Sequence, residues 1–351
     1  MKKVTIQDIA DALGISRNTV SKAINNADGL AEATRERILQ KAAEMGNKQF
    51  SYINALRGVQ AAEEAPPAPG YAGEIALFTS VFFGQSHFAS PMLDRFQHEV
   101  AQLGYSVNIH RVTAENIQAM SLPLSFVQER ASAIVCVEMF DWAYDEMVCG
   151  LGLPVLFVDG PVKAEGRTLP ADQLYMDNMT EVAAITRELL GRGLRRIGFV
   201  GDYLHCQSFF ERYIAYRCNL LLAGVSANPR WILRYNEAPE LTEQLNRLRE
   251  LPEVFLCAND FVAMDVIRIL RQRGLSVPED VLIVGFDDSP ESRLIQPPLT
   301  TVHIHTQIMA FTAVQLLMSR MKEPSLDFRV VHTQSDVIWR ASTLDESEDS
   351  V

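Results

Sequence analysis

Four polar side chains stand where a strand ends or a helix begins in the second part of this sequence. Asp287 follows the apolar run 281–284, so its carboxylate lies at the carboxyl end of a predicted strand, where it can accept hydrogen bonds from vicinal hydroxyls or bind an amine. Asn259 follows another apolar run and offers both a donor and an acceptor. Ser208 and Arg212 begin a predicted helix, and a guanidinium can fork onto ring or carboxylate oxygens. These groups predict a binding site for a small polar molecule.

The sequence contains no recognisable catalytic arrangement. It lacks a GxSxG elbow, a P-loop, an HExxH helix and a glycine-rich dinucleotide fingerprint, so we interpret its acids as binding groups in a non-enzyme that needs no cofactor. The five cysteines are widely spread and show no CxxC spacing. This pattern predicts reduced thiols, with neither a disulfide framework nor a zinc site.

The predicted binding groups lie within a long alternation of predicted strands and helices. From residue 73 onward, short β-branched or aromatic runs alternate with helical periods, which predicts parallel sheets with helices on both faces. This pattern is too long for one small sheet and favours two similar lobes. Ligands of open α/β sheets bind at the carboxyl ends of strands, so we expect the site in a cleft between the lobes.

A different pattern occupies residues 4–46. Apolar residues at helical spacing predict three short helices, over residues 6–13, 17–24 and 33–45. Gly14 separates the first two helices, Ser16 is placed to cap the second, and Ala10 is small where the two must cross closely. This is the pattern of a helix-turn-helix, which places its second helix in the major groove of DNA.

Charge is distributed unevenly along the chain. The whole sequence carries a net charge of -12, but residues 1–60 hold nine Lys or Arg against six Asp or Glu. An acidic body would keep nucleic acid away from every surface except this mildly basic head. Between the two, residues 61–70 are rich in Pro and Ala without an apolar period, which predicts a semi-extended linker.

The sequence favours a cytoplasmic protein. Its first residues lead directly into an amphipathic pattern, and it contains no uninterrupted stretch of about 20 apolar residues. A receptor that delivers sugar to a transporter is an alternative for the α/β part alone. Such a receptor would show a signal peptide and no helix-turn-helix, and this sequence shows the opposite pattern.

Two separate regions resemble the LacI/GalR family of bacterial transcription regulators. The run VTIQDIADALGISRNTVSKAIN from Val4, followed by EATRERI from Glu32, is similar to the family's DNA-binding domain. The run VLIVGFDDS from Val281, followed by PPLTTV from Pro297, is similar to the core signature of its effector domain. The resemblance implies an all-α helix-turn-helix head and a two-lobed, periplasmic-binding-protein-like α/β domain with parallel sheets.

The resemblance also divides the chain into four parts. It implies a DNA-binding domain at residues 1–48, a hinge helix and linker at 49–72, an effector-binding and dimerisation domain at 73–343, and an acidic tail at 344–351. The tail lacks leucine heptads, so we do not expect a tetramerising coiled coil there.

In this family the second helix reads base edges, and the matching positions here are Arg17, Asn18 and Lys22. Arg17 can pair bidentately with guanine and Asn18 with adenine, whereas Lys22 stands where the family usually has arginine. The resemblance implies contacts with DNA phosphates for five further residues: Thr5, Ser16, Thr19, Ser21 and Asn25.

Family members continue into a hinge helix that folds on DNA and wedges a leucine into the minor groove. Residues 54–58 match the end of that segment, which makes Leu56 the wedge and Ala55 a neighbouring contact. The residues upstream, 47–53, depart from the family pattern, and the linker beyond is longer than usual. These departures put in question whether this hinge folds on DNA.

The resemblance implies effector contacts for seven residues: Ser86, Phe88, Asp159, Ser208, Arg212, Asn259 and Asp287. It further implies a homodimer that represses carbohydrate-utilisation genes at a pseudo-palindromic operator under the control of a sugar or sugar phosphate. Pentoses, hexoses, sugar phosphates and nucleosides all suit these groups, and control by a phosphoprotein partner is a further alternative. The residues do not decide whether ligand releases or promotes DNA binding.

Overall fold

The structure of the protein is a computed structural model. It describes residues 6–24, 30–45, 70–81, 88–163, 166–235 and 238–343. The chain forms two compact units, the head at residues 1–70 and the body at residues 71–351. No helix within the described ranges is long and apolar enough to cross a membrane.

Three helices are described in the head: α1 Ile6–Leu13, α2 Arg17–Ile24 and α3 Glu32–Glu44. They enclose a small core of buried apolar residues, namely Ile9, Ala10, Val20, Ala23, Ile38 and Ala42. Gly14 adopts φ +64, a left-handed conformation that is favourable for glycine and lets the chain turn between α1 and α2. The Thr19 amide donates to Ser16 Oγ at 3.1 Å, so the predicted cap of α2 is present.

The body consists of alternating strands and helices. Its described strands are β1 Gly73–Thr79, β2 Tyr105–Arg111, β3 Ala131–Val137, β4 Val155–Val158, β5 Asp172–Met176, β6 Ile197–Val200, β7 Ile232–Leu233, β8 Val254–Cys257, β9 Leu282–Val284, β10 Thr301–Ile304, β11 Val330–Thr333 and β12 Ser335–Ile338. Its described helices are α4 Ala89–Gln102, α5 Ala114–Ala119, α6 Trp142–Cys149, α7 Thr180–Gly191, α8 Gln207–Leu222, α9 Ala238–Arg247, α10 Asp260–Gln272, α11 Pro290–Leu294 and α12 Thr306–Lys322.

Two parallel sheets define the two lobes of the body. In the described chain the first sheet has six strands in the order β11-β5-β4-β3-β1-β2, and the second has four in the order β7-β6-β8-β9. The central strands are runs of buried apolar residues, because helices cover both faces of each sheet. The predicted two-lobed α/β fold is therefore confirmed.

The chain passes between the lobes three times: after β5, after β10 and after β11. The crossing segments are bonded to one another. Asp177 donates its amide to the carbonyl of Thr333 at 2.7 Å, and its own carbonyl accepts from Ser335 Oγ at 2.9 Å. His305 Nε2 lies 3.0 Å from Asp336 Oδ2. Three connections bonded side by side favour a hinge movement of the lobes over independent motion.

A buried carboxylate joins the late part of the chain to the first lobe. Asp172 of β5 is 1% exposed and forms ion pairs with Arg320 at 3.0 Å and with Arg329 at 2.9 Å. Burial alone would raise the pKa of Asp172, but hydrogen bonds from Arg329 and Arg320 outweigh it and hold the pKa below its ordinary value. Asp172 is thus ionised, and the guanidinium groups of Arg320 and Arg329 compensate its buried charge.

Asp145 of α6 shows the opposite behaviour. It is fully buried, and neither carboxyl oxygen has a hydrogen-bond partner among the described residues. Burial, and to a smaller extent the charge of Asp141, raises the pKa of Asp145 from 3.8 to about 8. The folded body therefore keeps a proton on Asp145 that the unfolded chain releases.

This difference predicts a pH-dependent stability. Between pH 4 and pH 8 the unfolded chain binds fewer protons at Asp145 than the folded chain, so a rising pH favours unfolding by about 1.4 kcal/mol per pH unit at this site. Asp145→Asn removes the ionisable group, and we expect a flatter dependence of the free energy of unfolding on pH.

Urea unfolding of the full-length chain at pH 5, 6.5 and 8 measures this effect. Glu129→Gln, which removes an exposed carboxylate of the same lobe, is the matched control and should keep the slope of the unaltered protein. Equal slopes for Asp145→Asn and the unaltered protein would show that Asp145 does not carry this proton.

Candidate functional site

A cavity of about 620 Å³, counting the part open to solvent, lies between the two lobes. The first lobe lines it with Val81, Phe88, Glu138, Phe140 and Asp159. The second lobe contributes His205, Cys206, Ser208, Phe209, Arg212, Asn259, Phe261 and Asp287. Most of these residues follow strands or begin helices, as expected for a ligand cleft of an open α/β fold.

The cavity brings together six of the seven residues for which effector contacts were predicted: Phe88, Asp159, Ser208, Arg212, Asn259 and Asp287. Ser86 lies outside the described residues. The structure therefore places these six side chains around one cavity, and their contact with a ligand stays a prediction.

Each acid that lines the cleft follows a strand and has a left-handed backbone. Glu138 after β3 has φ +53, Asp159 after β4 has φ +57, and Asp287 after β9 has φ +114. Their amides donate to carbonyls of the neighbouring strands at 3.1, 3.0 and 2.9 Å respectively, which fixes the turns. Residues with side chains rarely adopt this conformation, and such positions cluster at functional sites.

Arg212 of α8 is a nearly buried cation, 3% exposed, at the base of the cleft. Its Nε donates to Asn178 Oδ1 at 3.0 Å and its Nη1 to the carbonyl of Ala258 at 2.5 Å. Nη1 also lies 3.8 Å from Asp287 Oδ1, and the guanidinium stacks 3.5 Å from the ring centroid of Phe286. The guanidinium is therefore held in one orientation by protein groups on several sides.

Burial disfavours the ionised forms of two aspartates of the cleft, Asp159 and Asp287, and the charge of Arg212 favours them. Burial raises the pKa of Asp287 well above its ordinary value, although the charge of Arg212 acts in the opposite direction. Burial likewise raises the pKa of Asp159, against a hydrogen bond of 2.8 Å from the Gly160 amide. A ligand that donates hydrogen bonds or carries positive charge would compensate these buried carboxylates.

Ser208 and Asn259 are each partly engaged by the protein. Ser208 is buried, and its Oγ accepts from Asn178 Nδ2 at 3.2 Å. The Oδ1 of Asn259 accepts from the Val262 amide at 2.9 Å and so caps α10. From the sequence we expected both the donor and the acceptor of Asn259 to be available to a ligand. Because the helix cap uses the Oδ1 acceptor, Asn259 presents mainly its NH₂ donor to the cleft.

Rings form much of the wall of the cleft. The phenyl rings are those of Phe88, Phe140, Phe209 and Phe261, and the imidazole is that of His205. The rings of Phe140 and His205 meet edge to face, with centroids 4.9 Å apart. Apolar rings beside carboxylates suit a ligand that has both polar groups and a C–H or cationic face.

Seven residues of the lining were not among the predicted effector contacts: Val81, Glu138, Phe140, His205, Cys206, Phe209 and Phe261. Glu138 carries a signal that could have found it, because it directly follows a buried strand as Asp159 does. The other six stand in connecting loops or at a helix start, where no spacing pattern marks them.

The head presents part of the predicted DNA-contacting set on α2. Arg17 and Lys22 are exposed, and the Ser16 and Thr19 hydroxyls bond to each other at 2.8 Å near its start. Asn18 and Ser21 belong to α2, but the structure does not describe their side chains. The remaining residues of the set lie outside the described residues, namely Thr5, Asn25, Ala55 and Leu56.

All five cysteines are free thiols, and Cys136, Cys206 and Cys257 are buried. Among the residues that the structure describes, no group of three or more His, Cys, Asp or Glu side chains is arranged to hold a metal ion.

Both units match known protein families. Residues 5–48 match the family described as "Bacterial regulatory proteins, lacI family", and residues 186–343 match the "Periplasmic binding protein-like domain".

Similar proteins extend over nearly the full chain. The HTH-type transcriptional repressor PurR of Aliivibrio salmonicida (strain LFI1238) is 24% identical over 345 residues, which cover 96% of this chain and 98% of that protein. The HTH-type transcriptional regulator GalR of Lacticaseibacillus casei is 27% identical over 355 residues, which cover 97% of this chain and 99% of that protein.

Solved structures share the fold at low identity. The lac repressor dimer bound to operator and the anti-inducer ONPF has a TM-score of 0.66 at 22% identity and covers 98% of this chain and 100% of its own. The complex of the transcriptional regulator CelR with cellobiose has a TM-score of 0.66 at 20% identity, covering 97% and 100%. The chain therefore carries a lacI-family DNA-binding domain followed by a periplasmic-binding-protein-like domain, which is the order of domains expected from its similarity to these transcription regulators.

Proposed function

We propose that this protein represses carbohydrate-utilisation genes and that a small sugar-like ligand in the cleft controls its binding to operator DNA. One observation carries the proposal: a helix-turn-helix with exposed Arg17 and Lys22 shares a chain with a two-lobed cleft lined by carboxyl, guanidinium and aromatic groups. The first is suited to reading DNA and the second to binding a small polar molecule.

In this proposal α2 lies in the major groove. Arg17 forks onto the O6 and N7 of a guanine and Asn18 pairs with an adenine, while Lys22 offers a single ammonium donor. Thr5, Ser16, Thr19, Ser21 and Asn25 contact phosphates and fix the register. Ala55 and Leu56 enter the minor groove where the hinge helix folds.

The regulator acts as a homodimer in the cytoplasm, where its operator lies. Two heads related by a two-fold axis read the two halves of a pseudo-palindrome, and α4 of the first lobe forms part of the dimer interface. A dimer suits this family, since the similar lac repressor was solved as a dimer on its operator.

The ligand lies between the lobes, with Asp287, Asp159 and Arg212 as its polar contacts. Phe88 supports a C–H face and the NH₂ group of Asn259 supplies a further donor. The Ser208 hydroxyl, which bonds to Met176 Sδ at 3.3 Å, turns toward the ligand, and Ser86 is a further contact. Cellobiose occupies the similar regulator CelR, which favours a carbohydrate here. A nucleoside is the second candidate, because the four phenyl rings of the cleft also suit stacking on a base.

Operator selection tests the DNA-binding part of the proposal. Random duplex DNA is enriched on the purified full-length protein at moderate salt, and we expect a pseudo-palindromic sequence. Arg17→Ala should relax the preference at one symmetric pair of positions, with a loss of about 1–3 kcal/mol in discrimination, because the bidentate contact with guanine is gone.

Arg37→Ala is the matched control, since it removes the same exposed charge from α3 of the head. This variant should enrich the same palindrome as the unaltered protein. Failure of the unaltered protein to enrich any palindrome would contradict the proposed DNA reading and leave the body to be assayed as a free-standing receptor.

A further inference from the structure

The cleft holds more acid than base. Among its described lining residues, Glu138, Asp159 and Asp287 each supply a carboxyl group against the single guanidinium of Arg212. Asp260 adds a fourth carboxyl nearby, because its charge helps raise the pKa of Asp287. His205 also lines the cleft, but an imidazole is cationic only when it is protonated.

The one guanidinium of the described lining is already committed to the protein. Arg212 donates to Asn178 and to the Ala258 carbonyl, and it lies between Asp287 and the ring of Phe286. An anionic ligand would have to draw this group away from compensating Asp287, which would leave a buried carboxylate with less compensation.

A described lysine lies near the cleft but does not line it. Lys163 is the nearby lysine that interacts with Asp159, but its Nζ lies 4.7 Å above the ring of Tyr175 and it is not one of the lining residues.

A positively charged ligand suits the groups of this cleft better than an anion does. Carboxyl groups whose charged forms are disfavoured by burial gain from a positive partner, as the raised pKa values of Asp159 and Asp287 indicate. The rings of Phe88, Phe140 and Phe209 also line the cleft, and an aromatic face attracts an ammonium group through its quadrupole.

We propose that the ligand of this cleft is a small polyhydroxylated molecule that carries an ammonium group, and that Glu138 of the first lobe is a determinant of this preference. The proposal rests on the cleft being the effector site of the regulator. We therefore expect the cleft to bind an amino sugar more tightly than the neutral sugar with the same ring, and the phosphorylated sugar least tightly.

Matched probes separate these classes. Thermal unfolding and isothermal titration of the full-length protein are carried out with D-glucosamine, D-galactosamine and D-mannosamine, with the corresponding neutral hexoses, and with the 6-phosphates of those hexoses. We expect at least one hexosamine to raise the unfolding midpoint and to bind about 10-fold or more tightly than its neutral counterpart, and the phosphates to bind most weakly.

Glu138→Gln keeps the size of the side chain and removes its charge. It should weaken the hexosamine about 10-fold while changing the affinity of the neutral hexose by less than about 3-fold. Glu146→Gln is the matched control, because Glu146 is exposed, pairs with Arg167 at 2.7 Å and lies outside the cleft lining. This control should leave both affinities unchanged.

Three results overturn the inference: a neutral or phosphorylated sugar that binds as tightly as its amine, no hexosamine that binds below about 1 mM, or an equal effect of Glu138→Gln on amine and neutral ligands. Operator selection distinguishes this failure from failure of the proposed function. An enriched palindrome with preferred neutral ligands removes only the ammonium preference, whereas hexosamine binding without a palindrome removes only the role in DNA binding.

Discussion

The burial of the Arg212 guanidinium is the constraint on which the geometry of the cleft depends. A cation excluded from water destabilises the fold unless hydrogen bonds and an opposite charge compensate it. Here the compensation comes from Asn178 on the first crossing segment, from the Ala258 carbonyl after β8 and from Asp287 after β9. One side chain therefore fixes a residue of the hinge and two strand ends, and the acids of the cleft are arranged around it.

The same geometry relates ligand binding to movement of the lobes. Glu138 and Asp159 belong to the first lobe, whereas Arg212 and Asp287 belong to the second, so a ligand that contacts both groups favours the closed arrangement. The crossing segments, bonded through Asp177, favour a hinge movement as the response. The change in free energy available for regulation is the difference in ligand affinity between the open and closed states.

Much of this arrangement follows from local sequence patterns, since apolar runs and helical periods determine the strands, the helices and the residues at their ends. Asp287 could be predicted as a cleft residue for this reason, and Asp159 could be predicted through the family resemblance. The return of α12 and β11 to the first lobe could not be predicted, because it is fixed by contacts between residues far apart in sequence: the apolar packing of α12, the pairing of β11 with β5 and the pairs of Asp172 with Arg320 and Arg329. No sequence pattern predicted that the side-chain oxygen of Asn259 caps a helix. Nor did any pattern predict that Asp145 is buried without a hydrogen-bond partner among the described residues.

In the proposed function, occupancy of the cleft changes the affinity of the head for DNA. The most direct test measures operator Kd of the full-length protein by fluorescence anisotropy, with and without a ligand that saturates the cleft. We expect the operator Kd to change by about 5-fold or more in either direction. An unchanged operator Kd at full occupancy of the cleft would contradict coupling between the cleft and the head.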